Sequence, residues 1–182
     1  MMTLEQLANL GELIGGIAVV ASLIYLAIQI RQNTANVRSA TLATNTEIWT
    51  SMLGQFAHPD FNEAYLQGSM GNSDLQPKLF LQFYLMSRSI FVAFENQYYQ
   101  YRKGTLDAEI YLGYERSLSN QILSFPGFQA YWRATSAEFS PDFVARVNYL
   151  IGEVSDTNPG RLLEQWQQQT GGLPSQSESP EN

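Results

Sequence analysis

The chain has 182 residues, with 10 Lys and Arg set against 17 Asp and Glu, for a formal net charge of −7. That balance argues against a nucleic-acid binder, whose footprint is a clustered basic face. The absence of cysteine excludes disulfide frameworks, thiolate metal sites, iron–sulfur ligation and thiol nucleophiles together.

The length suits one globular unit plus an appendage. Of ten Phe, ten Tyr and three Trp, only Tyr25 precedes Trp49, so the large side chains a core needs begin there. Four parts follow: residues 1–32 as an N-terminal transmembrane helix with a short leader, 33–57 as a helical stalk, 58–152 as a helical bundle domain, and 153–182 as a short helix and tail. The closing "TGGLPSQSESPEN" has little to bury and reads as disordered.

The opening segment, "GELIGGIAVVASLIYLAIQIRQNT", admits three readings: a membrane span, a cleaved signal or a soluble core helix. Leu13 to Ile30 is an 18-residue run without a charge, close to the minimum for crossing a hydrocarbon core of about 30 Å. Apolar residues occupy all faces, whereas a surface helix shows a polar stripe. Gly11, Gly15, Ala18 and Ser22 recur at helical spacing, as small residues do where membrane helices pack closely. Tyr25 and Arg31 stand toward one end, as interfacial anchors do. A secretory signal needs a basic start and a small-residue cleavage site, and neither is present. The span is therefore the favoured reading, and Arg31 and Arg38 place the larger part in the cytoplasm and the N-terminus outside. Glu12 suits a headgroup-level carboxylate in the first turn, where the helix dipole welcomes an anion.

The helix should continue as a stalk through apolar positions Val37, Leu42, Ile48, Met52 and Phe56, with a break tolerated at residues 33–36, and end before Pro59. His58 is the sole histidine; without a second imidazole or a thiolate, the usual zinc and di-iron sites cannot be assembled. It suits a solvated or capping role. Asp60 is expected to cap a short helix over "FNEAYLQ", followed by a "GSMGNSD" loop.

Pro77 to Lys103 reads as the central core helix, with Leu79, Phe83, Met86, Ile90, Phe94 and Tyr98 at three- and four-residue steps; Phe80, Tyr84 and Phe91 widen that face. Gly104 ends it. Arg88 and Glu95 lie two turns apart among apolar neighbours and suit ion pairs to other helices. "DAEIYLGYERSLSNQILS" is expected as one helix opened by Asp107. Pro126 starts the next, and Ser140 caps a further one behind Pro141. A last short helix spans Pro159 to Gln168. Strand signals are missing, so the fold class is all-α: a transmembrane helix continuing into a polar stalk, then an antiparallel bundle of four to five helices.

Three stretches, "GELIGGIAVVASLIYLAIQIRQNT", "FENQYYQYRKGTLDAEIYLGYERSL" and "PGFQAYWRATSAEFSPDFVARV", resemble a widespread group of uncharacterised bacterial proteins that pair such an N-terminal helix with a helical domain. The resemblance covers residues 9 to 151. It implies a single-pass protein of the bacterial inner membrane with a small cytoplasmic helical domain, and it brings no catalytic residue with it. It draws attention to Glu95, Tyr98, Tyr99, Tyr101, Arg102, Gly104 and Asp107, where charge, phenol and a helix-to-helix turn coincide. Among these, Glu95, Tyr98, Tyr101, Arg102 and Asp107 are candidates for a ligand or partner surface, against the alternative that they are edge-of-core residues and caps.

The function these features favour is a membrane-anchored interaction, scaffold or accessory protein. Membrane lipid and a homo-oligomer or membrane complex are its partners, with no nucleic acid, no cofactor and no catalysis. Alternatives are an oligomeric pore or a stress or defence effector, whose polar lining would have to come from Glu12, Ser22 and Gln29, and a small-ligand sensor or enzyme. For an enzyme, Glu95, Asp107, Glu109 and Glu115 would have to gather a Mg²⁺ ion, while phosphate-loop, nucleophile-elbow and zinc-protease motifs are missing.

Overall fold

Thr3 starts the first helix. Its hydroxyl accepts the Gln6 N–H at 3.3 Å, and the Gln6 side-chain oxygen accepts the Thr3 N–H at 3.1 Å, so two otherwise orphan donors are satisfied reciprocally. From there α1 (Leu4–Phe56) runs 53 residues, a rod of about 80 Å. The computed structural model describes residues 2–154 and 161–171. The helix continues through residues 33–36 without the break that the sequence there would tolerate. Threonines sit within the polar stretch with their hydroxyls turned back on the helix: those of Thr34, Thr46 and Thr50 each donate to the carbonyl four residues back, at 2.9 Å. A hydroxyl satisfied in this way does not compete for another backbone conformation.

Five more helices form the body: α2 (Pro59–Ser69), α3 (Pro77–Arg102), α4 (Ala108–Ser117), α5 (Pro126–Thr135) and α6 (Pro141–Glu153). A seventh, α7 (Arg161–Thr170), follows. Among the described residues there is no strand, and the all-α expectation holds. The N-terminal end assigned to the last helix, and the tail beyond Gly171, lie outside the described residues.

The core lies where α3, α5 and α6 meet. Phe91 is fully buried and stacks against Tyr131 (centroids 5.6 Å apart, 17°) and Trp132 (5.0 Å, 27°). Trp132 meets Phe143 edge-on at 5.7 Å and donates its indole N–H to Asn148 Oδ1 at 2.9 Å. Stacked and edge-to-face pairs of this kind add about 0.5–1.5 kcal/mol each beyond the area they bury.

Leu79, Phe83, Met86, Ile90 and Phe94 of α3 are buried as their spacing predicts. Phe80 is not; 57% of its surface is exposed, because it lies just beyond the face that α2, α4 and α5 cover. The lower part of α1 docks on this body. Trp49 lies edge-on to Phe94 at 5.0 Å, and buried Asn45 donates to Gln100 Oε1 at 2.6 Å.

Three local expectations are corrected. Asp60 does not open α2; Pro59 is its first residue, and the His58 carbonyl accepts the N–H groups of Phe61 and Asn62 at 2.9 and 3.2 Å. Asp107 and Ser140 stand at the N-cap positions of α4 and α6, but neither side chain makes a capping hydrogen bond. The helix expected from Asp107 to Ser124 gives way after Ser117 to a π-helical turn over Leu118–Ile122, closed by the Leu123 N–H on the Leu118 carbonyl at 2.8 Å. The wider turn lets Leu118, Ile122 and Leu123 all face inward, where a straight α-helix would splay them.

Where α2 crosses α5 the backbones nearly touch. A Cβ placed on Gly127 would sit 1.8 Å from the Gly68 carbonyl oxygen, and one placed on Gly68 would sit 2.3 Å from the Phe83 ring. Both glycines belong to helices, and packing, not backbone freedom, demands them there.

Candidate functional site

Two regions carry the candidate residues: the upper half of α1, and the end of the body where α3, α4 and α6 meet. In the first, every described residue from 2 to 40 is exposed. The helix is long and apolar enough to cross a membrane, with a mean hydropathy of 2.3 in its most apolar 18-residue window, none of it buried. Gly11, Gly15, Ala18 and Ser22 share one face, and no atom outside the helix backbone lies within 4 Å of a Cβ added at either glycine. Ser22 donates to the Ala18 carbonyl at 2.8 Å, so this face presents almost no free polar group. Gln29 donates to the Tyr25 hydroxyl at 2.7 Å, pairing the two polar groups nearest the Arg31 end. Glu12 borders a shallow groove on the opposite side, over Gly16 and Val20.

The second region divides the five candidates from "FENQYYQYRKGTLD" among different neighbours. Glu95 turns to α6: its Oε1 accepts the Ser140 N–H at 2.7 Å. A carboxylate from α3 thereby does for α6 part of what a capping-box glutamate does within one helix. Arg102 pairs with Asp142 in the first turn of the same helix, and its guanidinium carbon lies 5.9 Å from the Tyr98 ring centre. Tyr98 is itself 5.9 Å from Phe143. Tyr101 stacks on Tyr111 of α4 at 4.3 Å, only 5° from parallel. Asp107 turns to the stalk, where Arg38 lies 3.0 Å away and also donates through Nε to the Gly104 carbonyl at 3.1 Å.

Glu95, Tyr98 and Arg102 are thus brought together around the start of α6, while Tyr101 and Asp107 serve the α3–α4 and α1–α4 contacts. Of the two ion pairs expected on α3, Arg88 is joined to Glu138, whereas Glu95 meets a backbone N–H in place of a cation. Gly104 has φ +72°, the left-handed geometry that turns the chain between α3 and α4 and brings its carbonyl to Arg38.

Sequence reasoning passed over the most buried charge pair among the described residues. Glu115 of α4 is 8% exposed and is held by both Nε and a terminal nitrogen of Arg146 from α6, with the Tyr111 hydroxyl donating to its Oε2 at 2.7 Å. The signal was an acid and a tyrosine four residues apart on an otherwise apolar helix face. Burial raises the Glu115 carboxyl, but the hydrogen bonds from Arg146 and Tyr111 outweigh it and bring the group below its ordinary value of 4.5. Burial, and then the neighbouring carboxylate, push the Tyr111 phenol up.

Because the folded carboxyl titrates lower than the unfolded one, this contribution is complete above 4.5 and is lost as pH falls through the folded value. Glu115→Gln is expected to cost about 1–3 kcal/mol at neutral pH. It should also flatten the acid limb of a plot of melting temperature against pH. An unchanged acid limb would assign the acid sensitivity elsewhere.

Of the four acids that an enzyme would have to gather around Mg²⁺, three have separate partners: Glu95 meets Ser140, Asp107 meets Arg38 and Glu115 meets Arg146. Among the described residues, no group of three or more His, Asp or Glu is placed to hold a metal ion. None of the protein families, curated proteins or solved structures compared with the chain matches it.

Proposed function

We propose that this chain is a membrane-anchored, non-enzymatic interaction protein of the bacterial inner membrane. A single pass is formed by the upper half of α1, with the N-terminus outside and the helical body in the cytoplasm. The observation that carries the reading is the contrast along α1: residues 2 to 30 are exposed, and apolar on every side from Leu13 to Ile28 except at Ser22 and Tyr25, while Arg38 bonds to the start of α4 and Asn45 to Phe56 pack against the body. An apolar helix left bare in water would cost about 25 cal/mol for each Å² that a bilayer or partner could cover.

The face of Gly11, Gly15, Ala18 and Ser22 is the contact proposed between copies, since small residues let two helix backbones approach closely in lipid. The body brings helices together through side-chain pairs such as Arg102–Asp142 and Glu115–Arg146. In this reading the body is the part that meets a partner, close to the membrane.

Fractionation of cells making the full chain tests the anchor. The protein should pellet with membranes, resist alkaline carbonate and be released by detergent; recovery in the soluble fraction would sink the proposal. Chemical cross-linking in those membranes tests self-association. A dimer band is expected, weakened by Gly15→Leu, and a monomer under all cross-linkers would remove that part of the reading.

A further inference from the structure

We infer that the groove between the stalk and the start of α4 is a binding site for a phosphate-bearing anion, the headgroup of an acidic phospholipid in the leaflet facing the body. This rests on the membrane-anchored reading and deepens it. The groove holds 580 Å³ and is lined on one side by Arg31, Thr34 and Arg38 of α1, and on the other by Leu106, Asp107 and Ile110.

Arg31 directly follows the charge-free run that ends at Ile30, so in a bilayer its guanidinium stands at headgroup depth. Among the described residues it has no ion pair or hydrogen-bond partner, in contrast to Arg38, Arg88, Arg102 and Arg146, each of which meets a carboxylate. Arg38 lies two turns further along the same face, about 10 Å toward the body. It spends Nε on the Gly104 carbonyl and one terminal nitrogen on Asp107, which cancels that aspartate's repulsion of an anion.

Two arginines against one aspartate leave one net positive charge at the groove, in a chain whose overall charge is −7. Acids outnumber bases in the body, so the groove is a locally positive position on a chain that an anionic surface otherwise repels. A guanidinium with all its donors unclaimed matches two phosphate oxygens at once.

Full-length protein would be reconstituted into vesicles of equal parts phosphatidylcholine and phosphatidylglycerol, then released gently, and the lipid retained per protein counted by native mass spectrometry. Phosphatidylglycerol should be retained well above its share in the vesicle. Arg31→Gln should lower that retention about fivefold, with Arg31→Lys between the two and Arg133→Gln on the far helix α5 unchanged. None of these side chains holds the body together, so its melting temperature should not move.

Retention in proportion to vesicle composition, from protein that resists carbonate in the same vesicles, overturns the groove while leaving the anchor intact. Protein released by carbonate overturns both. An Arg31-dependent melting shift produced in detergent by inorganic phosphate alone, with phosphate also displacing the retained lipid, would make the groove a site for free anions and overturn the lipid assignment.

Discussion

A Val20→Asp, Leu23→Asp double variant is expected to leave the carbonate-resistant membrane fraction while its helical body melts at the temperature of the parent protein. Both side chains lie inside the charge-free run and are 56% and 61% exposed, so neither supports any contact in the body. An aspartate near the centre of a spanning helix costs about 3 kcal/mol. Two of them shift partition by roughly ten-thousand-fold. Conservative exchange at the same positions, Val20→Leu with Leu23→Phe, should leave the protein in the membrane. The readouts are carbonate extraction and the thermal unfolding of the body followed by circular dichroism. Persistence of the aspartate variant in the pellet, without aggregation in detergent, would show that the apolar half of α1 is not what holds the protein there.

Gly127→Ala is expected to be among the most damaging small substitutions in the body, although alanine is the better helix former by about 1 kcal/mol. The added methyl would stand 1.8 Å from the Gly68 carbonyl oxygen, so α2 and α5 must separate to admit it. That separation reaches Phe128 of α5 and Tyr65 of α2, whose rings are 6.0 Å apart across the same crossing. Overpacking of a backbone contact costs about 3 kcal/mol, which lowers the melting temperature of a domain this size by about 15 °C.

Gly113→Ala supplies the control. That glycine lies within α4 with nothing within 4 Å of an added Cβ, and the same exchange should stabilise by about 0.5–1 kcal/mol. Differential scanning calorimetry of the pair in detergent decides the matter. Equal shifts in the two variants would mean that the α2–α5 crossing is looser than these distances say.

Much of the architecture is written locally in the chain. The three- and four-residue recurrence from Leu79 to Phe94 marks the core face of α3, because a helix turns every 3.6 residues and only one face can be covered. Pro126 and Pro141 mark the first residues of α5 and α6, where a missing N–H costs nothing. The apolar half of α1 is equally legible, since its signal is an absence of charge over a length.

Other features depend on which helix lies next to which, and local patterns are blind to that. Ser140 has the composition of a cap, yet the group that meets its N–H is Glu95, 45 residues earlier. Asp107 likewise sits where a cap belongs, but Arg38 offers it a full charge, and a charge-assisted pair is worth more than a neutral donor. The π-turn after Ser117 appears because Leu118, Ile122 and Leu123 are all wanted in the core, a demand that comes from α3, α5 and α6 together and not from the segment itself.

The candidate cluster near Glu95 was visible as a concentration of residue types, but its division among α6, α4 and the stalk was not. The helical class, the apolar run of α1 and the periodic face of α3 are legible in the sequence alone, since each follows from spacing along one segment. Only the tertiary structure decided that Gly68 and Gly127 must be glycine, that Glu115 is held by Arg146, and that Arg31 alone among the groove's charges faces open space. Each of those depends on distances between segments far apart in the chain, and packing, not propensity, sets those distances.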